Sequence, residues 1–325
     1  MSSADKNSRS FSAANVDLPV KVIKNRGFAD LAARGTIIPA HIQWIPTNRC
    51  DADCSFCSCA NRDTSHELNM QDSRAAIEEF AGLGTRAVTI TGGGEPMLYR
   101  NMPDLIETFI ENGIEVGLVT NGRRWKKWDY DAVRRARWLR MSISDEYPFD
   151  GFDSQIAEMS AKLQAVDFAL SYVVTGAIDY RKIREAIRLV NMFRLAHIRI
   201  VFDICNADGV PANFMENLGG LDMSRVIVQP RQRFTRGVRD CWISLAKPVI
   251  GADGNIYPCC GVQYAAETQT LDLSSEFAMG TIKDVSEIWA HQRHFNGSVC
   301  AKCYYGGYNS TLDTMRAPVR HLAFI

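Results

Sequence analysis

The chain has 325 residues, 46% of them hydrophobic and 23% charged, enough to bury one large core and a small appended domain. Lys plus Arg and Asp plus Glu balance at 37 each, so the molecule as a whole has no field that gathers nucleic acid or anionic membrane. No apolar run approaches the ~20 residues needed to span a bilayer, and the Ser/Asn-rich start lacks the apolar stretch of a signal peptide; a cytoplasmic location with no membrane partner is expected.

Residues 1–40 read as an N-terminal extension, its first twenty or so disordered by composition. From 41 to 235, short β-branched runs alternate with amphipathic stretches, the pattern of βα units around a parallel sheet. Six such runs are predicted as strands: His41 to Pro46, Arg86 to Thr91, Ile114 to Thr120, Trp138 to Ser144, Phe168 to Thr175 and Ile198 to Ile204. A seventh, Val226 to Pro230, extends the sheet. Met102, Leu105, Ile106, Phe109 and Ile110 form one helical stripe, closed by Gly113 as a C-cap, and Ile183, Ala186, Ile187 and Val190 form another. After 235 the rhythm changes. Residues 236–325 read as a small cysteine-rich domain: two short strands about an Asp253-Gly254 turn, a helix near Val285 to Phe295, and Cys300-Ala-Lys-Cys303.

Ten cysteines in a chain of this length and compartment point to metal ligation rather than disulfides. Eight fall in two sets: Cys50, Cys54, Cys57 and Cys59, then Cys259, Cys260, Cys300 and Cys303, with Cys205 and Cys241 apart. The spacing Cys50-x3-Cys54-x2-Cys57 directly follows the first strand, at the carboxyl end where such folds place their active sites. Three thiolates can hold three irons of a four-iron cluster and leave the fourth iron open to a ligand. The alternatives at this point are a zinc site, with Cys59 as fourth ligand, or a redox CxxC at Cys54 and Cys57.

With Phe56 immediately before the third cysteine, this loop resembles the signature of the radical S-adenosylmethionine superfamily. The run Gly92-Gly93-Gly94-Glu95-Pro96 at the end of the second strand resembles that family's GGEP motif. The resemblance implies an α/β fold, a partial (β/α)6 TIM-like barrel, with a [4Fe-4S] cluster on Cys50, Cys54 and Cys57. It further implies S-adenosylmethionine contacted by Phe56, Gly92, Gly93, Gly94, Glu95, Asn121, Ser142 and Ser144. On their own, Asn121-Gly122 also reads as a turn, and Ser142 and Ser144 as sheet residues. The activity implied is reductive cleavage to a 5'-deoxyadenosyl radical that abstracts hydrogen from a substrate. An external one-electron reductant such as flavodoxin or ferredoxin would supply the electron.

In the second set, Cys241, Cys259 or Cys260, Cys300 and Cys303 offer four thiolates. With the Tyr-Pro-Cys259-Cys260-Gly stretch, this region resembles the SPASM and twitch auxiliary domains, which implies one further [4Fe-4S] cluster with Cys259 the preferred ligand. A zinc knot recruiting His291 or His294 is the alternative. Full protein ligation suits electron transfer, and hence a net oxidation.

Two basic stretches bear on the substrate. Arg123, Arg124, Lys126, Lys127, Arg134, Arg135, Arg137 and Arg140 form the first, and Arg231, Arg233, Arg236 and Arg239 the second. They are expected either to face an anionic substrate or to be solvated surface. The leading expectation is a small anionic or polyhydroxylated molecule, phosphorylated or nucleotide-like. With only about forty residues before the first strand, a peptide substrate is less favoured. The rivals are modification of a nucleobase in RNA or DNA, with Trp125 or Trp128 for stacking, and a non-catalytic zinc or iron-sulfur module. Tyr172, Asp203 and Glu95 all lie near strand ends, and nothing in the sequence ranks them as general acid or base.

Overall fold

The computed structural model describes residues 20–176, 178–203, 210–229, 234–264, 275–318 and 320. The expected disordered start, Cys205, Arg231 and Arg233 fall outside them. Two helices, α1 (Val20–Lys24) and α2 (Arg26–Ala33), precede the strands. Then come β1 (His41–Trp44), β2 (Ala87–Ile90), β3 (Glu115–Thr120), β4 (Trp138–Ser144), β5 (Asp167–Val174), β6 (Ile198–Phe202) and β7 (Val226–Gln229), each within a predicted run or one residue beyond it.

Helices α3 (Met70–Gly82), α4 (Met102–Glu111), α5 (Tyr130–Val133), α6 (Phe152–Lys162) and α7 (Tyr180–Met192) lie between these strands. Their starts follow from capping chemistry: Asn69 accepts the N–H groups of Gln71 and Asp72, and Asp179 those of Arg181 and Lys182. Gly113, at φ 72°, follows the end of α4.

Strands β1 to β7 pair in sequence and all in parallel. Beyond them lie β8 (Asp240–Cys241), α8 (Ile243–Ala246), β9 (Val249–Ile250), β10 (Asn255–Tyr257) and β11 (Gly280–Thr281). Strand β9 pairs in parallel with β1, and β10 and β11 continue the sheet antiparallel, so ten strands form one sheet. The helix predicted near Val285 to Phe295 is shorter. It stops as α9 (Val285–Ala290), because Gln292 takes φ 48° and Phe295 enters β12 (Phe295–Asn296), paired with β8. Helix α10 (Gly306–Arg316) closes the described fold.

Strand alternation separates two faces. Ile42, Trp44, Val88, Ile90, Leu118, Met141, Leu170 and Ile200 join the helical stripes in the main core. The opposite face carries Gln43, Thr89, Gly117, Arg140, Ser142, Ser171, Arg199 and Gln229; its buried apolar members Ala169, Val201 and Ile227 stand apart from that core. A closed TIM barrel fills this face with bulky apolar layers. Here it is polar. Among the described residues, no helix is long and apolar enough to cross a membrane.

Candidate active site

After β1 the chain leaves the sheet into the loop that carries Cys50, Cys54 and Cys57, all half-buried free thiols. Three ties hold this loop. Asp51 Oδ1 accepts from Asn121 Nδ2 at 2.9 Å and Oδ2 from Arg124 Nε at 2.8 Å, fastening it to the end of β3. Ser55 donates its N–H to Glu146 Oε2 at 3.2 Å and its hydroxyl to Oε1, fastening the loop to the segment after β4. Arg62 donates to Asn48 O at 2.7 Å and lies 3.6 Å from Cys57 Sγ. Sequence reasoning missed Asp51, Glu146 and Arg62, since an isolated charge in a loop has no periodicity or spacing that announces its partner.

Burial pushes the Cys54 thiol up to about 11, with Cys57 adding to the effect, and burial also raises Cys50. As bare thiols they stay protonated at neutral pH, so taking up a metal must release protons. Phe56 is half-buried in the same loop. Cys59 is buried, with Gln263 Nε2 donating to its sulfur at 2.9 Å.

Gly92 to Gly94 press on the chain just before Cys50. A Cβ on Gly93 would collide with the Asn48 side chain, one on Gly94 with the Arg49 carbonyl, and one on Gly92 with Gly94 O. The contact is sealed by Gly94 N–H to Thr47 O at 3.2 Å and Glu95 N–H to Arg49 O at 2.7 Å. The donor set fits a four-iron cluster: three free thiols on one loop, whose start packs directly on a run that only glycine permits. Among the described residues, no group of three His, Cys, Asp or Glu side chains is set to hold a metal ion. In a four-iron cluster each thiolate takes a different iron, so the three need not converge on one point.

Two of the expected cofactor contacts, Glu95 and Asn121, are joined in one hydrogen-bond network. Glu95, 3% exposed, turns its carboxylate inward, where it accepts from Thr120 Oγ1 at 2.6 Å, Asn121 N at 2.7 Å and Met97 N at 3.0 Å. The amide of Asn121 is committed to Asp51 and its carbonyl to the N–H of Arg123 at 2.9 Å. Through these bonds Glu95 and Asn121 join the glycine run, the end of β3 and the three-cysteine loop. Ser144, buried, accepts from Glu146 N at 3.2 Å, and Ser142 lies half-buried on the polar face. Tyr172 belongs to the opposite face and donates to Asp145 at 2.7 Å, which removes it from the acid-base candidates.

Burial raises the Glu95 carboxyl from 4.5 to about 7, against the pull of its three donors. Between those values the folded protein holds a proton that the unfolded chain has lost. Its contribution to stability is therefore full below pH 4.5 and falls as pH rises to about 7, by on the order of 3 kcal/mol. Glu95→Gln should remove that slope. Urea unfolding of wild type and variant between pH 4.5 and 8 checks this, and parallel pH profiles would refute it.

The second cysteine set surrounds a cavity lined by Cys241, Cys259, Cys300 and Cys303 with Gly237 and Gly297. Burial raises all four thiols, Cys241 and Cys300 being pushed further by Cys303. Cys260 is not in that lining; its sulfur lies 3.0 Å from Tyr305 Oη. His294 pairs with Asp240 at 3.1 Å and packs on Trp242, and His291 is exposed.

The first basic stretch divides. Arg124 pairs with Asp51, Arg134 with Asp131, Arg135 with Glu107 and Arg137 with Glu115. Arg236 and Arg239 of the second are exposed. Trp125 and Trp128, each 8% exposed, belong to the core rather than to a stacking surface, because their rings fill the space beside α5. This corrects the expectation that they are available to bases.

The fold is thus a parallel α/β partial barrel with a three-cysteine loop after its first strand. Residues 44–168 match the profile of the radical SAM superfamily. The GTP 3',8-cyclase of Haemophilus ducreyi is 26% identical over 191 residues, 56% of this chain and 54% of that protein. The Fe-coproporphyrin III synthase of Methanosarcina barkeri is 23% identical over 52% of this chain and 42% of its own length. The chain thus spans about half the length of these curated relatives. Among solved structures, Streptococcus suis SuiB bound to S-adenosylmethionine aligns at TM-score 0.57 and 16% identity, over 83% of this chain and 71% of that one. Native anSMEcpe with bound AdoMet and a peptide aligns at 0.52 and 13%, over 88% and 86%. These structures share the fold.

Proposed function

We propose that this protein is a radical S-adenosylmethionine oxidoreductase acting on a small anionic or polyhydroxylated substrate. The observation that carries the reading is the docking of the Cys50–Cys57 loop against the glycine run and the ends of β3 and β4. When bound, the cluster and S-adenosylmethionine supply a one-electron cleavage and abstraction of a hydrogen atom from the substrate, and a fully ligated second cluster supplies an electron acceptor for a net oxidation.

The chain's own residues do the rest. Cys50, Cys54 and Cys57 hold three irons, and the Asp51 and Glu146 ties keep their loop registered on the barrel. Gly92 to Gly94 offer backbone groups at close approach, Phe56 an aromatic face, and Ser142 and Ser144 hydroxyls beneath the strand ends. Cys241, Cys259, Cys300 and Cys303, within the 236–325 region, hold the auxiliary cluster, and Cys260 stands aside. The reductant is an external one-electron carrier, and the reduced thiols suit the cytoplasm. The phosphorylated nucleotide in the names of the GTP 3',8-cyclase relatives agrees with an anionic substrate.

Reduced, reconstituted protein given S-adenosylmethionine should release 5'-deoxyadenosine. Cys54→Ala should lower that release by a hundredfold or more while its iron falls from about eight to about four per chain, the auxiliary cluster remaining. Equal release by the variant overturns the assignment, and zinc in place of iron overturns the whole reading.

A further inference from the structure

Segments 235–239 and 297–303 run antiparallel over the second thiol set. Thr235 and Cys303 exchange backbone hydrogen bonds at 3.0 and 2.6 Å, Gly237 N–H donates to Cys300 O at 2.9 Å, and Gly297 N–H donates to Arg239 O at 3.2 Å. Glycine lets this ribbon lie directly on the cysteines. A Cβ on Gly237 would collide with Gly297 O and with the Cys300 Cβ, and one on Gly297 would collide with Val238 O and stand 3.3 Å from the Cys241 Cβ. The wall between the four-thiol cavity and the outside is therefore one backbone thick: Val238 and Lys302 line the cavity and are themselves exposed.

Val238 is 53% exposed and Val299 60%, two of the five large hydrophobic side chains exposed among the described residues. Scattered exposed valines need no explanation; two on the outside of a wall this thin, ringed by cations, do. Arg236 and Arg239 are exposed, and among the described residues neither pairs with a carboxylate. Lys302 is a third exposed cation of the ribbon. The adjoining acid, Asp240, is engaged by His294 at 3.1 Å. An apolar centre with a cationic rim complements an acidic protein surface, and its small extent suits a transient complex. The exposed side chains at the centre are aliphatic, so a nucleic-acid strand finds no aromatic platform there.

We infer that the ribbon of residues 235–239 and 297–303 is the docking face for an acidic one-electron carrier protein, which takes electrons from the centre held by Cys241, Cys259, Cys300 and Cys303. Electron transfer weakens steeply with distance, and this wall brings a docked carrier within one backbone of Cys300 and Cys303. In a net oxidation the substrate radical loses one electron to the auxiliary cluster and a proton to solvent, and the reduced cluster passes that electron to the oxidised carrier. The inference rests on the proposed auxiliary cluster, but not on cleavage of S-adenosylmethionine.

The test probes the full reconstituted chain with oxidised flavodoxin, an acidic carrier, and with cytochrome c, a basic one. Flavodoxin should bind wild type at low salt and release as salt rises, and cytochrome c should not bind. Arg236→Glu combined with Arg239→Glu should weaken flavodoxin binding tenfold or more, and Arg135→Glu, outside the ribbon, should leave it unchanged. The milder pair Arg236→Gln and Arg239→Gln should act in the same direction but less, with unaltered iron, which guards against damage to the thiols. In stopped flow, the second cluster of the Cys54→Ala chain, reduced beforehand, should pass an electron to flavodoxin at least tenfold faster than the same chain carrying the double charge reversal. The proposal is overturned by absent flavodoxin binding, by binding or electron transfer that survives the reversal, or by an iron-free Cys54→Ala chain. An oligonucleotide that binds the ribbon in place of flavodoxin overturns it too. Release of 5'-deoxyadenosine by wild type, measured separately, decides the class reading, so either can fail without the other.

Discussion

Gly94→Ala is expected to unseat the cluster loop and destabilise the protein by about 3 kcal/mol or more. The new methyl would fall on the Arg49 carbonyl, which is backbone and cannot swing aside as a side chain can. To make room, residues 47–49 must retreat and break the bonds from Gly94 N–H to Thr47 O and from Glu95 N–H to Arg49 O. Overpacking costs typically 1–3 kcal/mol, and each lost buried hydrogen bond about 1 kcal/mol more. Cys50 is the next residue, so iron bound at the first site should fall along with stability. Gly82→Ala is the matched control: Gly82 ends α3 with nothing within 4 Å of its Cβ, so alanine there should be neutral or stabilising by up to about 1 kcal/mol. Urea unfolding and iron analysis of both variants check the pair, and a Gly94→Ala protein with normal iron would contradict the account.

Trp44→Ala is expected to cost about 3–5 kcal/mol. The indole is fully buried at the end of β1 and meets the Phe109 ring edge-on, with centroids 5.3 Å apart, so truncation opens a cavity between the sheet and α4. Trp44→Phe should cost much less. The indole N–H is buried without a hydrogen-bond partner among the described residues, and phenylalanine removes that donor while keeping most of the apolar surface. A phenylalanine variant as unstable as the alanine one would show that shape rather than burial governs the site.

The strands and the first cluster loop were legible in the sequence because each is a local pattern. Apolar periodicity located β1 to β7 nearly to the residue, and thiol spacing singled out Cys50, Cys54 and Cys57. The glycine run was legible as a place of close approach, though not what it approaches, which is the backbone of Asn48 and Arg49. Glu95 was harder to place. A carboxylate at a strand end reads as a ligand contact, yet its three donors come from Met97, Thr120 and Asn121, two of them on another strand or just beyond it.

By itself, then, the sequence determined the βα rhythm, the three-cysteine loop and the presence of a second thiol set, since these depend on neighbours along the chain. Tertiary structure alone decided that Cys259 lines the four-cysteine cavity while Cys260 turns to Tyr305, and that Asp51 and Glu146 tether the first loop. It also sorted one basic stretch into ion pairs at Arg134, Arg135 and Arg137 and an arginine, Arg140, on the polar face of β4. The reason is physical: a side chain's environment is set by strand register and by which backbone passes opposite, and both join residues far apart in the chain.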